Sequence, residues 1–101
     1  MEDNKFSSDE RLELESIYSK AADYAEEVKE VRSIFDQPTV DKKLKNQVLA
    51  LCREAMDKYY TIEWEFKRMI KTHSINKCHE MLNDMHSLLW ELLEIKHHYK
   101  I

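Results

Sequence analysis

The sequence predicts an all-α fold, an antiparallel three-helix bundle built from long helices. Three observations predict it. The 101-residue chain has no glycine and one proline, so the tight hairpins and bulges of a β-rich fold lack the residue they depend on. Apolar residues recur at alternating steps of three and four over most of the chain, the spacing of helices that each bury one face. Hydrophobic residues make up 43% and charged residues 36%, which suits a packed core under a solvated skin and not a disordered chain.

Residues 1–6 read as a loose leader, polar apart from Phe6 and the initial methionine. Ser7 stands three residues before Glu10, the capping-box spacing in which each side chain satisfies the other's free backbone N–H. Helix 1 is therefore expected over about 8–35. Its seam is Leu14, Ile17, Ala21, Tyr24, Val28, Val31 and Phe35, with charged residues filling the intervening positions. Asp36-Gln37-Pro38-Thr39 ends it, because Pro38 disfavours helical backbone at Gln37 and has no N–H to donate. A helix of that length runs roughly 40 Å, so the helices that cover its seam must be long too.

Helix 2 is expected over about 40–71, with Leu44, Val48, Leu51, Ala55, Tyr59, Ile62, Phe66 and Met69 on its seam. A flanking row of Leu49, Cys52, Met56 and Tyr60 widens the apolar face, as a helix touching two neighbours requires. Helix 3, about 75–99, carries Cys78, Met81, Met85, Leu88, Leu92, Ile95 and Tyr99, flanked by Ile75, Leu82, Leu89 and Leu93. Neither glycine nor proline separates helices 2 and 3. Continuing the helix 2 seam past Met69 lands on His73, Asn76, Glu80 and Asn83, all polar. Thr72-His73-Ser74-Ile75-Asn76 is rich in side chains that compete for backbone hydrogen bonds, which places the second turn there. Short connections make successive helices antiparallel within one domain. The alternative is a helical hairpin with one very long arm that dimerises into a four-helix bundle, a structural homodimer.

Net charge is −4, and it is uneven: residues 1–37 carry −6 and residues 38–101 carry +2. Sequence-independent nucleic-acid binding needs a concentrated basic face, so this balance disfavours it. An acidic first helix favours a basic partner. No apolar run approaches the ~20 residues of a membrane span, and the opening Met1-Glu2-Asp3-Asn4 has no apolar signal region, so no membrane partner and a cytoplasmic location are expected. Cys52 and Cys78 fall within helical patterns, where free thiols act as small hydrophobes, consistent with a reducing compartment. Among the five histidines and two cysteines, no His–His or Cys–His pair has the three- or four-residue spacing that gathers ligands on a helix, so neither metal nor cofactor is expected.

Several short patterns carry chemistry. Arg68-Met69-Ile70-Lys71-Thr72-His73 resembles the Arg-x4-His motif of the HEPN family of helical ribonucleases. That resemblance implies Arg68 as stabiliser of a scissile phosphate and His73 as acid/base, although Met69 stands where the family usually carries a polar residue. The bland alternative has Arg68 solvated and His73 at a helix end. Arg68, Lys71, Ile75, Cys78, His79 and Leu82 have a spacing similar to the third helix of the chaperone-binding BAG domains. Leu89-Trp90-Glu91-Leu92-Leu93 resembles the LxxLL motif that docks into nuclear-receptor grooves, a spacing that burial in a bundle also produces. Lys42, Lys43 and Lys45 crowd the start of helix 2, as a small anion-docking patch or as a surface facing the acidic first helix.

The functional expectation is a non-enzymatic protein-interaction module, an adaptor, chaperone or inhibitor that binds another protein through an apolar helix face or groove. Trp64 lies off the helix 2 row and Trp90 lies opposite the Leu88/Leu92 row. Large aromatics off the core face mark interaction sites. Trp64, Tyr60 and Trp90 are the expected contact residues, with Glu26, Glu27 and Glu30 steering a basic partner. The alternatives are a helical ribonuclease using Arg68 and His73, and the homodimer.

Overall fold

Each helix begins where a short polar side chain captures free backbone N–H groups of its first turn. The computed structural model describes residues 5–68 and 71–99 and contains α1 (Ser8–Phe35), α2 (Lys42–Arg68) and α3 (Ile75–Tyr99). Ser7 caps α1 in the expected capping box: the Ser7 hydroxyl accepts from the Glu10 N–H at 3.1 Å, and Glu10 accepts from the Ser7 N–H at 3.0 Å. Ser74 caps α3 by accepting from the Lys77 N–H at 3.1 Å.

At α2 the structure differs from the sequence reading. The helix starts at Lys42 instead of near residue 40, because Asp41 is the cap; its carboxylate accepts from the Leu44 N–H at 3.2 Å. Val40 belongs to the preceding turn, where its N–H donates to Gln37 O, and its side chain is buried against the core. The other end also shifts. Residues 69 and 70 lie outside the described residues, so the Met69 seam position does too, while Lys71 lies outside the helix. The break between α2 and α3 gives three separate helices in place of a hairpin with one long arm.

The helices pack pairwise into an antiparallel three-helix bundle. Tyr18 of α1 stacks on Phe66 and Tyr59 of α2, and Lys45 near the start of α2 pairs with Asp36 beyond the end of α1. Lys58 of α2 faces Asp84 of α3. By contrast α1 and α3 run parallel, with level pairs Glu13–His79, Tyr24–His86 and Phe35–Tyr99. The result is a slim rod of 54 × 18 × 16 Å.

The seams largely form the core. Leu14, Ile17, Ala21, Val28, Val31 and Phe35 of α1 are buried, together with Val48, Ala55 and Ile62 of α2 and Cys78, Met81, Met85 and Leu92 of α3. Two corrections are local. On α1, Ala25 takes the buried position assigned to Tyr24, which turns outward far enough to stack on His86 at 5.3 Å; a methyl side chain lets the helices approach more closely than a phenol would. In the flanking row of α2, Cys52 and Met56 are buried but Tyr60 is 54% exposed.

The leader is not loose at its last residue. Phe6 is only 4% exposed and its ring lies under the Lys71 ammonium at 5.8 Å. An aromatic beside the open end of a bundle gains roughly 2–3 kcal/mol by covering it. Residues 1–4 lie outside the described residues.

Candidate interaction surfaces

Tyr60, Trp64 and Arg68 follow one another at steps of four, so they form a single stripe on the outer side of α2. Tyr60 is 54% and Trp64 51% exposed. The Arg68 guanidinium lies 4.0 Å from the Trp64 ring centroid, a cation–π contact that covers one face of the indole. Beneath the stripe runs a stack of rings, Tyr18 on Phe66 at 4.6 Å and on Tyr59 at 6.2 Å, with Tyr59 reaching Tyr60 at 5.5 Å. The exposed ring is thus braced from inside. Tyr59 donates its hydroxyl proton to Glu63, and desolvation of the phenol, with Tyr18 and Glu63 beside it, pushes its pKa upward.

A second aromatic surface lies on α3. Trp90 is 60% exposed, and its indole N–H donates to Nε2 of His86 at 3.1 Å. That bond requires an unprotonated Nε2. His86 stacks on Tyr24 in turn, so a continuous set of rings crosses from α3 to α1. Because Tyr24 and His86 are level, Trp90, one turn past His86, stands level with the Glu27 turn of α1. Glu26, Glu27 and Glu30 are all exposed, and no ion pair among the described residues engages them.

The six contact residues expected from the sequence therefore fall on two surfaces. Trp90 lies on the α1/α3 side at the height of the Glu27 turn, with Glu26 and Glu30 on the outer face of α1, while Tyr60 and Trp64 lie on α2 near its C-terminal end. Counting along the antiparallel helices separates the two indoles by roughly 16 Å of axial height.

The Arg68 and His73 pair is drawn to different partners. Arg68 covers Trp64, whereas His73 donates from Nδ1 to Glu65 at 2.8 Å. Glu65 is wholly buried, and it also accepts from the Thr72 N–H at 3.2 Å and from the Thr72 hydroxyl. This cluster ties the connection between α2 and α3 to the core, and the sequence reading missed it. The available signal was a glutamate three residues past Ile62, on the side of the seam, followed by Thr72 and His73.

The remaining motifs resolve into packing and surface. Leu89 and Leu92 of the LxxLL segment are buried, and Leu93 is half-buried. Lys45 pairs with Asp36 at 3.5 Å, so part of the lysine cluster does face α1; Lys42 and Lys43 are exposed. His79 donates to Glu13 at 2.9 Å. Among the described residues, no three His, Cys, Asp or Glu side chains are grouped to hold a metal, and no helix is long and apolar enough to cross a membrane. Cys52 and Cys78 are buried free thiols.

No family model matches the chain, and no curated protein or solved structure is significantly similar to it.

Proposed function

We propose that the protein is a non-enzymatic helical interaction module, acting as an adaptor, chaperone or inhibitor, that docks another protein on its exposed aromatic faces. One observation carries this reading: Tyr60, Trp64 and Trp90 are each more than half exposed, although α2 and α3 bury most of their large apolar side chains wholly or in part. A half-exposed indole leaves on the order of 100 Å² uncovered, and covering it is worth about 2–3 kcal/mol. Tryptophan and tyrosine at such positions dominate binding energy where partners meet. The acidic α1 turn beside Trp90 suits a partner that brings basic groups to the same place.

The ribonuclease reading has less support, since it needs Arg68 and His73 to face one phosphate and each is engaged elsewhere. The homodimer reading draws on the same aromatic exposure, with a second copy as the partner.

The test compares proteins captured by the tagged wild type and by a Trp64→Ala/Trp90→Ala variant whose thermal unfolding matches it. A partner held by the wild type and lost from the variant supports the proposal. Identical recoveries from both contradict it.

A further inference from the structure

Toward the start of α2, about a quarter-turn around the helix from the Trp64 stripe, α2 and α3 enclose an open groove of about 850 Å³. It lies toward the end of the rod formed by the first half of α2 and the last turns of α3. Leu44 and Leu51 from α2 and Ile95 and Tyr99 from α3 line it. All four lie on the expected core seams, yet all are only half-buried. Ala50, exposed and small, leaves the α2 wall low.

The rim is acidic. Glu54, Glu91 and Glu94 line the groove and are exposed, with Gln47 and His98 completing the lining. No lysine or arginine lines it among the described residues. Within this span of α2, Lys45 and Arg53 do not line the groove, and Lys45 is paired with Asp36. The cations that flank the lining face are Lys43, one turn before Gln47, and Lys58, one turn past Glu54 and already paired with Asp84 at 3.9 Å.

We propose that this groove binds an amphipathic helical segment of a partner protein, about three turns long, whose apolar ridge is flanked by lysine or arginine. The length follows from α2, where Leu44 to Glu54 spans roughly 15 Å. The apolar ridge covers the four half-buried side chains, and the basic flanks meet the three rim carboxylates. An acidic helix would bring like charges onto those carboxylates, which disfavours it. A small ligand would leave much of its own surface in solvent in so open a groove. Glu94 stands one turn past Trp90, so the rim borders that aromatic face, but the apolar lining of the groove includes none of Tyr60, Trp64 and Trp90, and either site can fail without the other.

The probe is a synthetic amphipathic peptide of about 14 residues, leucine on one face and lysine on its flanks, with a control carrying glutamate for each lysine. Fluorescence anisotropy of the labelled peptide measures affinity, and amide shifts in the ¹⁵N-labelled wild type map the site. The lysine peptide binds with a Kd on the order of tens of µM, and the glutamate peptide at least about tenfold more weakly. Shifts centre on Leu51, Ile95 and Tyr99. Ala50→Arg, at an exposed helical position, closes the groove and abolishes binding. Glu94→Lys weakens it about fivefold or more, while Glu15→Lys, an equal charge change on α1, leaves it within about twofold. Equal binding of the two peptides, shifts centred on α1, or Ala50→Arg without effect would each overturn the proposal. So would concentration-dependent self-association that Ala50→Arg abolishes, which would seat a second copy there instead.

Discussion

Glu65 and His73 meet at 2.8 Å across the connection between α2 and α3, the carboxylate wholly buried and the imidazole half-buried. A buried carboxylate is costly unless its oxygens are satisfied. Here the Thr72 N–H and hydroxyl complete the set. The chain has no glycine to make a tight helix end, and this side chain ties Thr72 and His73 back to α2.

Removing the acceptor should therefore cost more than an average substitution. Glu65→Ala strands the Thr72 N–H and the His73 ring and is expected to destabilise by about 3 kcal/mol, lowering Tm by roughly 10–20 °C. Glu65→Gln keeps an amide oxygen for the Thr72 N–H and should cost about half as much. Urea unfolding measures both. A loss below about 1 kcal/mol for Glu65→Ala would show that other contacts hold the connection.

The cap of α1 makes a smaller, pH-dependent contribution. Ser7→Ala should cost about 1 kcal/mol in chemical unfolding. The Ser7 backbone N–H donating to Glu10 holds that carboxyl below its usual range, with Lys71 at 3.6 Å adding to the effect. Because the folded value is depressed, the contribution is present above the unfolded value and is lost as pH falls through the folded one. An unfolding series in acid should show this slope in the wild type and a shallower one in Glu10→Gln, which removes the titrating group, whereas Ser7→Ala keeps the backbone donor and most of the slope.

The two thiols should be silent in the native protein. Burial pushes the Cys78 thiol up to about 11, with the Glu65 carboxylate adding to it, and burial raises Cys52 as well, opposed by Arg32. Thiol reagents at mildly alkaline pH should label neither cysteine until denaturant is added. The native state keeps a proton that the unfolded chain gives up from about 9 upward. Stability is thus fully present below that pH and falls on the order of 2–3 kcal/mol by pH ~11. Rapid labelling of the folded protein would contradict the burial.

Steering by α1 is testable once a partner is in hand. Reversing Glu26, Glu27 and Glu30 to lysine should slow association with a basic partner about tenfold at low ionic strength and little at high salt. Stopped-flow mixing reads the rates directly. Unchanged rates at low salt would remove these glutamates from the interaction.

Much of the architecture is legible in the sequence because helix periodicity and caps are local signals. Ser7 and Glu10 announce the first helix by spacing alone, and the polar run from Thr72 to Asn76 marks the second turn. What the sequence hides is either a choice between neighbours or a long-range contact. Thr39, Val40 and Asp41 all lie where α2 could begin, and only the bond from the Leu44 N–H decides for Asp41. Tyr24 and Ala25 both fit a step of three or four, and packing within the bundle buries the alanine while Tyr24 turns to stack on His86. Glu65 reads as a solvated glutamate because its partners lie seven and eight residues on, past the helix end. Leu44, Leu51, Ile95 and Tyr99 look like any seam residues, since spacing does not reveal how far apart two helices stand. The off-row placement of Trp64 and Trp90 on helices 2 and 3 is legible, but the exposure of each indole and the distance between the two faces need the bundle.

Sedimentation equilibrium of the wild type over a wide concentration range tests the central claim most directly, because the aromatic faces serve a partner only if the chain leaves them open. The expected result is one species of 12.2 kDa at every concentration. A species of twice that mass, lost in Trp64→Ala/Trp90→Ala, would show those faces already closed by a second copy and would contradict the account.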